Sequence, residues 1–68
     1  MIYNVTLHKK DYPTLPYNLG IMADTEEEAK EEAKKMIAEK AYWANDSVLT
    51  MEDKLNTLII DEVTVLLH

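Results

Sequence analysis

The stretch from Tyr17 to Ala44 constrains the fold most, because an alternating apolar run passes without a spacer into a charged helical pattern. Tyr17, Leu19, Ile21 and Ala23 share one side of a period-two segment while Asn18, Gly20 and Met22 share the other, the pattern of a half-buried strand. Thr25-Glu26-Glu27-Glu28 then opens a helix. The Thr25 hydroxyl can accept from the N–H of Glu28 while the Glu28 carboxylate reaches back to the N–H of Thr25, and Asp24 with Glu27 offers the same capping box one residue earlier. Three glutamates sit on the positive end of the helix dipole, with Lys34, Lys35 and Lys40 toward the negative end. Glu26/Lys30 and Glu31/Lys35 stand at i,i+4 in the favourable order, each adding roughly 0.2–0.5 kcal/mol. The spacing predicts a helix from about Thr25 to Ala44, with Ala29, Ala33, Met36, Ile37, Ala41 and Ala44 along its apolar stripe. The acidic run is thus explained as a solvated, well-capped helix face before any binding role is assigned to it.

Alternating segments lie on both sides of this unit. From Ile2 to His8, Tyr3, Val5 and Leu7 face one way and Asn4, Thr6 and His8 the other, so this is a first strand. Lys9 to Pro16 forms a hairpin loop, its two prolines unable to donate to a ladder. Gly20, the only glycine, predicts a bulge or a close backbone approach in the second strand. Asn45-Asp46-Ser47 is a helix-stop and turn cluster. Thr50-Met51-Glu52-Asp53 either caps a short helix ending near Asn56 or belongs to an ordered loop. Leu58 to Leu67 is rich in β-branched residues and reads as a third strand, with Val63, Val65 and Leu67 on one face and Ile60 and Leu66 on the other.

Strand, strand, helix, strand has few sensible assemblies. The hairpin makes the first two strands antiparallel, and the long helix returns the chain to the free side of the first. The expected fold is α+β: a two-layer ββαβ domain over residues 1–68, with a three-stranded antiparallel sheet of order 2-1-3 and one long helix on one face. The helix should cover Tyr3, Val5, Leu7, Leu19, Ile21, Val63 and Val65. Asn4, Thr6, Met22, Thr64, Leu66 and part of Ile60 should line the open face, beside two free sheet edges where a partner could pair.

With 68 residues the core must be small, which makes homodimerisation a reasonable expectation. The absence of cysteine excludes disulfides, thiolate metal sites and a thiol nucleophile. No signal-peptide pattern and no membrane-length apolar run is present, so a cytoplasmic protein with no membrane partner is expected. The net charge is −6, and every basic residue is lysine. Phosphate-gripping proteins present basic patches and use arginine for bidentate contacts, so direct nucleic-acid binding is not expected. Acidic surface instead steers association with positively charged clefts.

No constellation for catalysis stands out, and the chain is not expected to be an enzyme. His8 and His68 have no carboxylate at ligand spacing, and Ser47 has neither a histidine nor a glycine-rich elbow near it in sequence. The carboxylate pairs Glu27/Glu31 and Glu28/Glu32 would need further helices to make a di-metal site. Neither a metal nor a cofactor is implied. Among the aromatics, Tyr12 in the proline loop is a candidate interface anchor, whereas Trp43, next to Tyr42, suits either closure of the core or a partner contact.

Ala23-Asp24-Thr25-Glu26-Glu27-Glu28-Ala29 with Ala33, closed by Asp61-Glu62-Val63-Thr64-Val65, resembles a pattern in very small proteins of phages and mobile elements. The arrangement is similar to the compact ββαβ anti-CRISPR proteins, and in outline to DpnD/PcfM-like proteins and the small RNA polymerase inhibitor of lytic coliphages. The resemblance implies a stoichiometric inhibitor that binds a host protein or ribonucleoprotein complex, a CRISPR effector foremost, without turnover. On that reading Glu27, Glu31, Asp46, Glu52 and Asp53 supply the acidic surface, while Tyr12 and Trp43 supply buried contact. The alternative is a homodimeric accessory or antitoxin-like interaction module using a free strand edge; HicB-type antitoxins contain a similar strand-to-helix step.

Overall fold

The computed structural model describes residues 1–67; His68 lies outside the described residues. Its elements are β1 (Ile2–Lys9), β2 (Tyr17–Met22), α1 (Glu26–Lys40), α2 (Met51–Thr57) and β3 (Leu58–Leu67). The sheet has three strands in the order β2-β1-β3, and both pairings are antiparallel. This is the expected α+β architecture, with a short second helix resolving the segment whose sequence left helix and loop open.

β1 is the central strand, paired with β2 through the hairpin and with β3 on its other side. Tyr3, Val5 and Leu7 are buried, while the intervening Asn4, Thr6 and His8 are half-buried on the open face. They meet Ile21 of β2 and Ala29, Ala33, Ile37 and Ala38 of α1 in one core. The alanines let the helix backbone lie close to the sheet. The pairing of β1 with β2 runs unbroken from Ile2↔Met22 to Leu7↔Tyr17, straight through Asn4↔Gly20. Gly20 therefore marks neither a bulge nor a close approach: no positive φ occurs there, and a β-carbon would meet nothing within 4 Å.

β3 carries the irregularities. Thr6 pairs with Glu62 but Leu7 with Ile60, which makes Asp61 an extra residue; Tyr3 pairs with Val65 but Ile2 with Leu67, which makes Leu66 another. Each bulge turns the period-two pattern over. Ile60, assigned by alternation in part to the open face, stands opposite Leu7 and packs against the core. Leu58 is fully committed to the core. Val65 shares the helix-side face with the buried Tyr3 yet stays 41% exposed on the outer strand.

The helix starts as its sequence requires. Thr25 is the N-cap, its hydroxyl accepting from Glu28 N–H at 3.2 Å. The Glu28 carboxylate accepts from Asp24 N–H at 3.3 Å, one residue before the cap, so the reciprocal bond is displaced from a true capping box. Lys30 pairs with both Glu26 (3.7 Å) and Glu27 (3.4 Å). No Glu31–Lys35 ion pair forms among the described residues.

The helix ends at Lys40, not Ala44. Ala41 turns extended, with its N–H still donating to the Ile37 carbonyl at 3.0 Å. The cause is Trp43. At about 100° per residue, continued helix would set Trp43 roughly 120° away from Ile37 and outside the apolar stripe. The break lets the indole fold back so that it is 8% exposed and Nε1–H donates to the Ile37 carbonyl at 3.2 Å. Ala44, placed in the stripe by periodicity, is exposed.

α2 is held by a full capping box: Asp53 N–H donates to the Thr50 hydroxyl at 3.1 Å, and Thr50 N–H donates to the Asp53 carboxylate at 3.0 Å. The Thr50 N–H first, and the Thr50 hydroxyl second, favour the ionised Asp53 carboxylate and hold its pKa below the ordinary value of 3.8. A depressed folded-state pKa contributes stability that is complete above the unfolded value and is lost as pH falls through the folded one. Protection factors at the α2 amides, which correct for the intrinsic pH dependence of exchange, should therefore fall only as the pH drops below 3.8. Thr50→Ala should show that fraying already at neutral pH, since losing an N-cap costs about 0.5–2 kcal/mol. Unchanged α2 protection in the variant would refute this account of the cap.

Candidate functional site

A concavity lies where the β1–β2 loop meets the connection between α1 and α2. Two consecutive turns build the first wall: Tyr12 N–H donates to the Lys9 carbonyl at 2.8 Å, and Leu15 N–H to the Tyr12 carbonyl at 3.1 Å. Pro13 falls at the second position of the second turn, where its fixed φ is favourable. Lys10 N–H donates to the Thr57 carbonyl at 2.7 Å and ties this loop to the start of β3.

The second wall follows Trp43. Asp46 N–H donates to the Trp43 carbonyl at 3.2 Å, and Val48 and Leu49 N–H donate to the Asn45 carbonyl at 3.0 and 3.1 Å. Lys9 joins the walls: its ammonium lies 4.2 Å from the Trp43 ring centroid and donates to the Tyr42 carbonyl. Lys54 stands over the same ring at 5.9 Å and is ion-paired with Asp46. Such cation–π contacts contribute about 0.5–1 kcal/mol when exposed and about 2 when desolvated.

Between the walls is a groove of about 440 Å³, lined among others by Tyr12, Leu15, Tyr17, Tyr42, Trp43 and Leu49. Tyr12, Leu15 and Tyr42 are 53%, 65% and 81% exposed, so three large side chains are held at the surface by ordered backbone. Apolar and aromatic groups kept in water by turns and a pinned carbonyl are suited to an incoming side chain or peptide. Asp11 and Lys9 provide the charges on the lining, and the Lys9 ammonium is already engaged.

The candidate residues read from sequence fall into three places. Tyr12 and Trp43 come together in the groove, Tyr12 as an exposed wall and Trp43 as a floor whose body belongs to the core. Asp46, Glu52 and Asp53 are exposed around α2, but Asp46 is paired with Lys54 and Asp53 is committed to the capping box, which leaves Glu52 without a bond of its own among the described residues. Glu27 and Glu31 are exposed on α1 and do not line the groove. Tyr17, Leu15 and Leu49 were not evident as site residues; Pro13 at a turn position was the one available signal.

His8 lies outside the groove, with Nδ1 2.8 Å from the Asp61 carboxylate. Among the described residues no group of three or more histidines and carboxylates is placed to hold a metal ion, and no helix is long and apolar enough to cross a membrane. No protein-family model, characterised protein or solved structure matches this chain.

Proposed function

We propose that this protein is a non-enzymatic inhibitor that binds a basic protein surface of a host nucleic-acid machine and blocks it stoichiometrically. The observation that carries the reading is the aromatic groove, held open by ordered turns in a chain of net charge −6. Exposed Tyr12 and Tyr42 can be buried by a partner, while exposed carboxylates on α1 and α2 draw a positively charged cleft toward them. A CRISPR effector is the proposed target, on the resemblance of the strand-to-helix step to compact anti-CRISPR proteins.

The test is titration of the purified protein into effector ribonucleoproteins of several types, with target cleavage as the readout. Inhibition should saturate near equimolar protein and weaken as salt is raised. Tyr12→Ala should raise the inhibitory concentration at least about fivefold, the loss of more than 1 kcal/mol that marks an anchor. Glu27→Lys with Glu31→Lys should slow association without unfolding the chain, both being exposed helix positions. Asp53 is left intact in this test because reversing it would also remove the α2 cap. Absence of inhibition across the effectors, or a shift of duplex DNA at physiological salt, would overturn the reading. A homodimeric interaction module is the second reading, favoured by the unpaired edge of the 10-residue β3.

A further inference from the structure

We infer that β3 pairs antiparallel with β3 of a second copy of this chain through its outer edge, joining two three-stranded sheets into one. β3 is an edge strand of 10 residues, bonded to β1 on one side only. Natural edges are usually blunted with lysine or proline, and β3 contains neither. Its protection is confined to Asp61, Glu62 and the two bulges. Between the bulges, Glu62 to Val65 pairs regularly with β1, which leaves a straight stretch for a partner.

Self-pairing fits this stretch better than pairing with an unrelated strand. A two-fold axis perpendicular to the sheet at Thr64 sets Val63 opposite Val65 of the second copy, on the helix-side face in both. Glu62 then faces Leu66 of the second copy and not another carboxylate, avoiding the like-charge opposition that destabilises cross-strand pairs. The same placement brings the second copy against Val65 and Leu66, which are 41% and 60% exposed in the isolated chain. β2 is the poorer edge, being 6 residues long, immediately after Pro16 and containing Gly20.

The area involved sets the strength. With the axis at Thr64 the two strands overlap over residues 61–67, about 24 Å of strand by a sheet layer about 10 Å deep, so the contact is smaller than a standard interface and the dimer is a weak, concentration-dependent one. The groove is bounded by Lys9 and Thr57, and Thr64 lies about 24 Å further along the strand. Dimerisation and the groove can therefore be used together, and the inference does not rest on the inhibitory reading.

Sedimentation velocity on the full chain from roughly 1 to several hundred micromolar tests it. Concentration-dependent dimerisation is expected. Val65→Lys, and separately Leu66→Lys, should shift the protein to monomer while preserving its circular dichroism, because both positions are exposed. Met22→Lys on β2 should leave the dimer unchanged. Amide resonances from Glu62 to Leu66 should move with concentration. A monomer throughout the range, a dimer indifferent to both β3 variants, or one abolished by Met22→Lys would overturn the pairing.

Discussion

Val5→Asp is expected to leave the chain unfolded wherever the new carboxylate is ionised. Val5 is fully buried in the central strand, opposite Leu19 on one side and Val63 on the other, and no buried polar side chain stands nearby to receive a charge. An unpaired buried ion costs several kcal/mol even after relaxation. At about 0.05–0.15 kcal/mol per residue, a domain of this size has roughly 3–10 kcal/mol in total, so one substitution consumes most or all of it. Leu7→Ala separates charge from packing: it should still unfold cooperatively, with stability lower by about 2–5 kcal/mol. Far-UV circular dichroism with urea titration checks both. A native spectrum for Val5→Asp at neutral pH would mean that β1 is not the centre of the core.

Trp43→Ala is expected to destabilise the chain by about 3–5 kcal/mol, the range for removing a large buried aromatic. Three contacts are lost together: the body of the indole in the core, the Nε1–H bond to the Ile37 carbonyl, and the ring beneath the Lys9 ammonium. Trp43→Phe keeps a ring beneath Lys9 and removes the indole donor. Because the Ile37 carbonyl still accepts from Ala41 N–H, no buried acceptor is orphaned and the cost should be about 1 kcal/mol. Chemical denaturation at fixed protein concentration distinguishes the two variants. Equal stability of Trp43→Ala and the parent would remove Trp43 from the core. The same contacts make Tyr12 the better probe of partner binding, since a change at Trp43 reports on folding first.

Local chemistry was legible wherever a residue acts on its near neighbours. The Thr25 cap and the alternation of β1 follow from interactions within four positions along the chain, and the Thr50 cap was one of the two openings its segment allowed. The strand order followed too, because a hairpin and a returning helix leave one free side of β1. Of the groove, only Tyr12 and Trp43 could be singled out, as aromatics with no obvious place in a strand or helix stripe. Lys9 and Tyr17 were accounted for by the loop and the strand, and nothing in their spacing ties them to Leu49.

What tertiary structure decided are the features that depend on contact between distant segments. α1 stops at Lys40 because burying Trp43 against Ile37 outweighs further helical bonds, a competition invisible to a periodic pattern that runs on to Ala44. The bulges at Asp61 and Leu66 are properties of the β1–β3 register, and the first of them turns Ile60 inward. The groove exists because residues 9–17 and 42–49 are brought together over one indole. By itself the amino-acid sequence determined the three strands, the start of the long helix and their order, since these are set by short-range bonding and solvent preference, while the segment after Thr50 stayed open between helix and loop. The helix end, the register and the site were decided by packing, where a single buried side chain or one extra residue in a strand outweighs the local pattern.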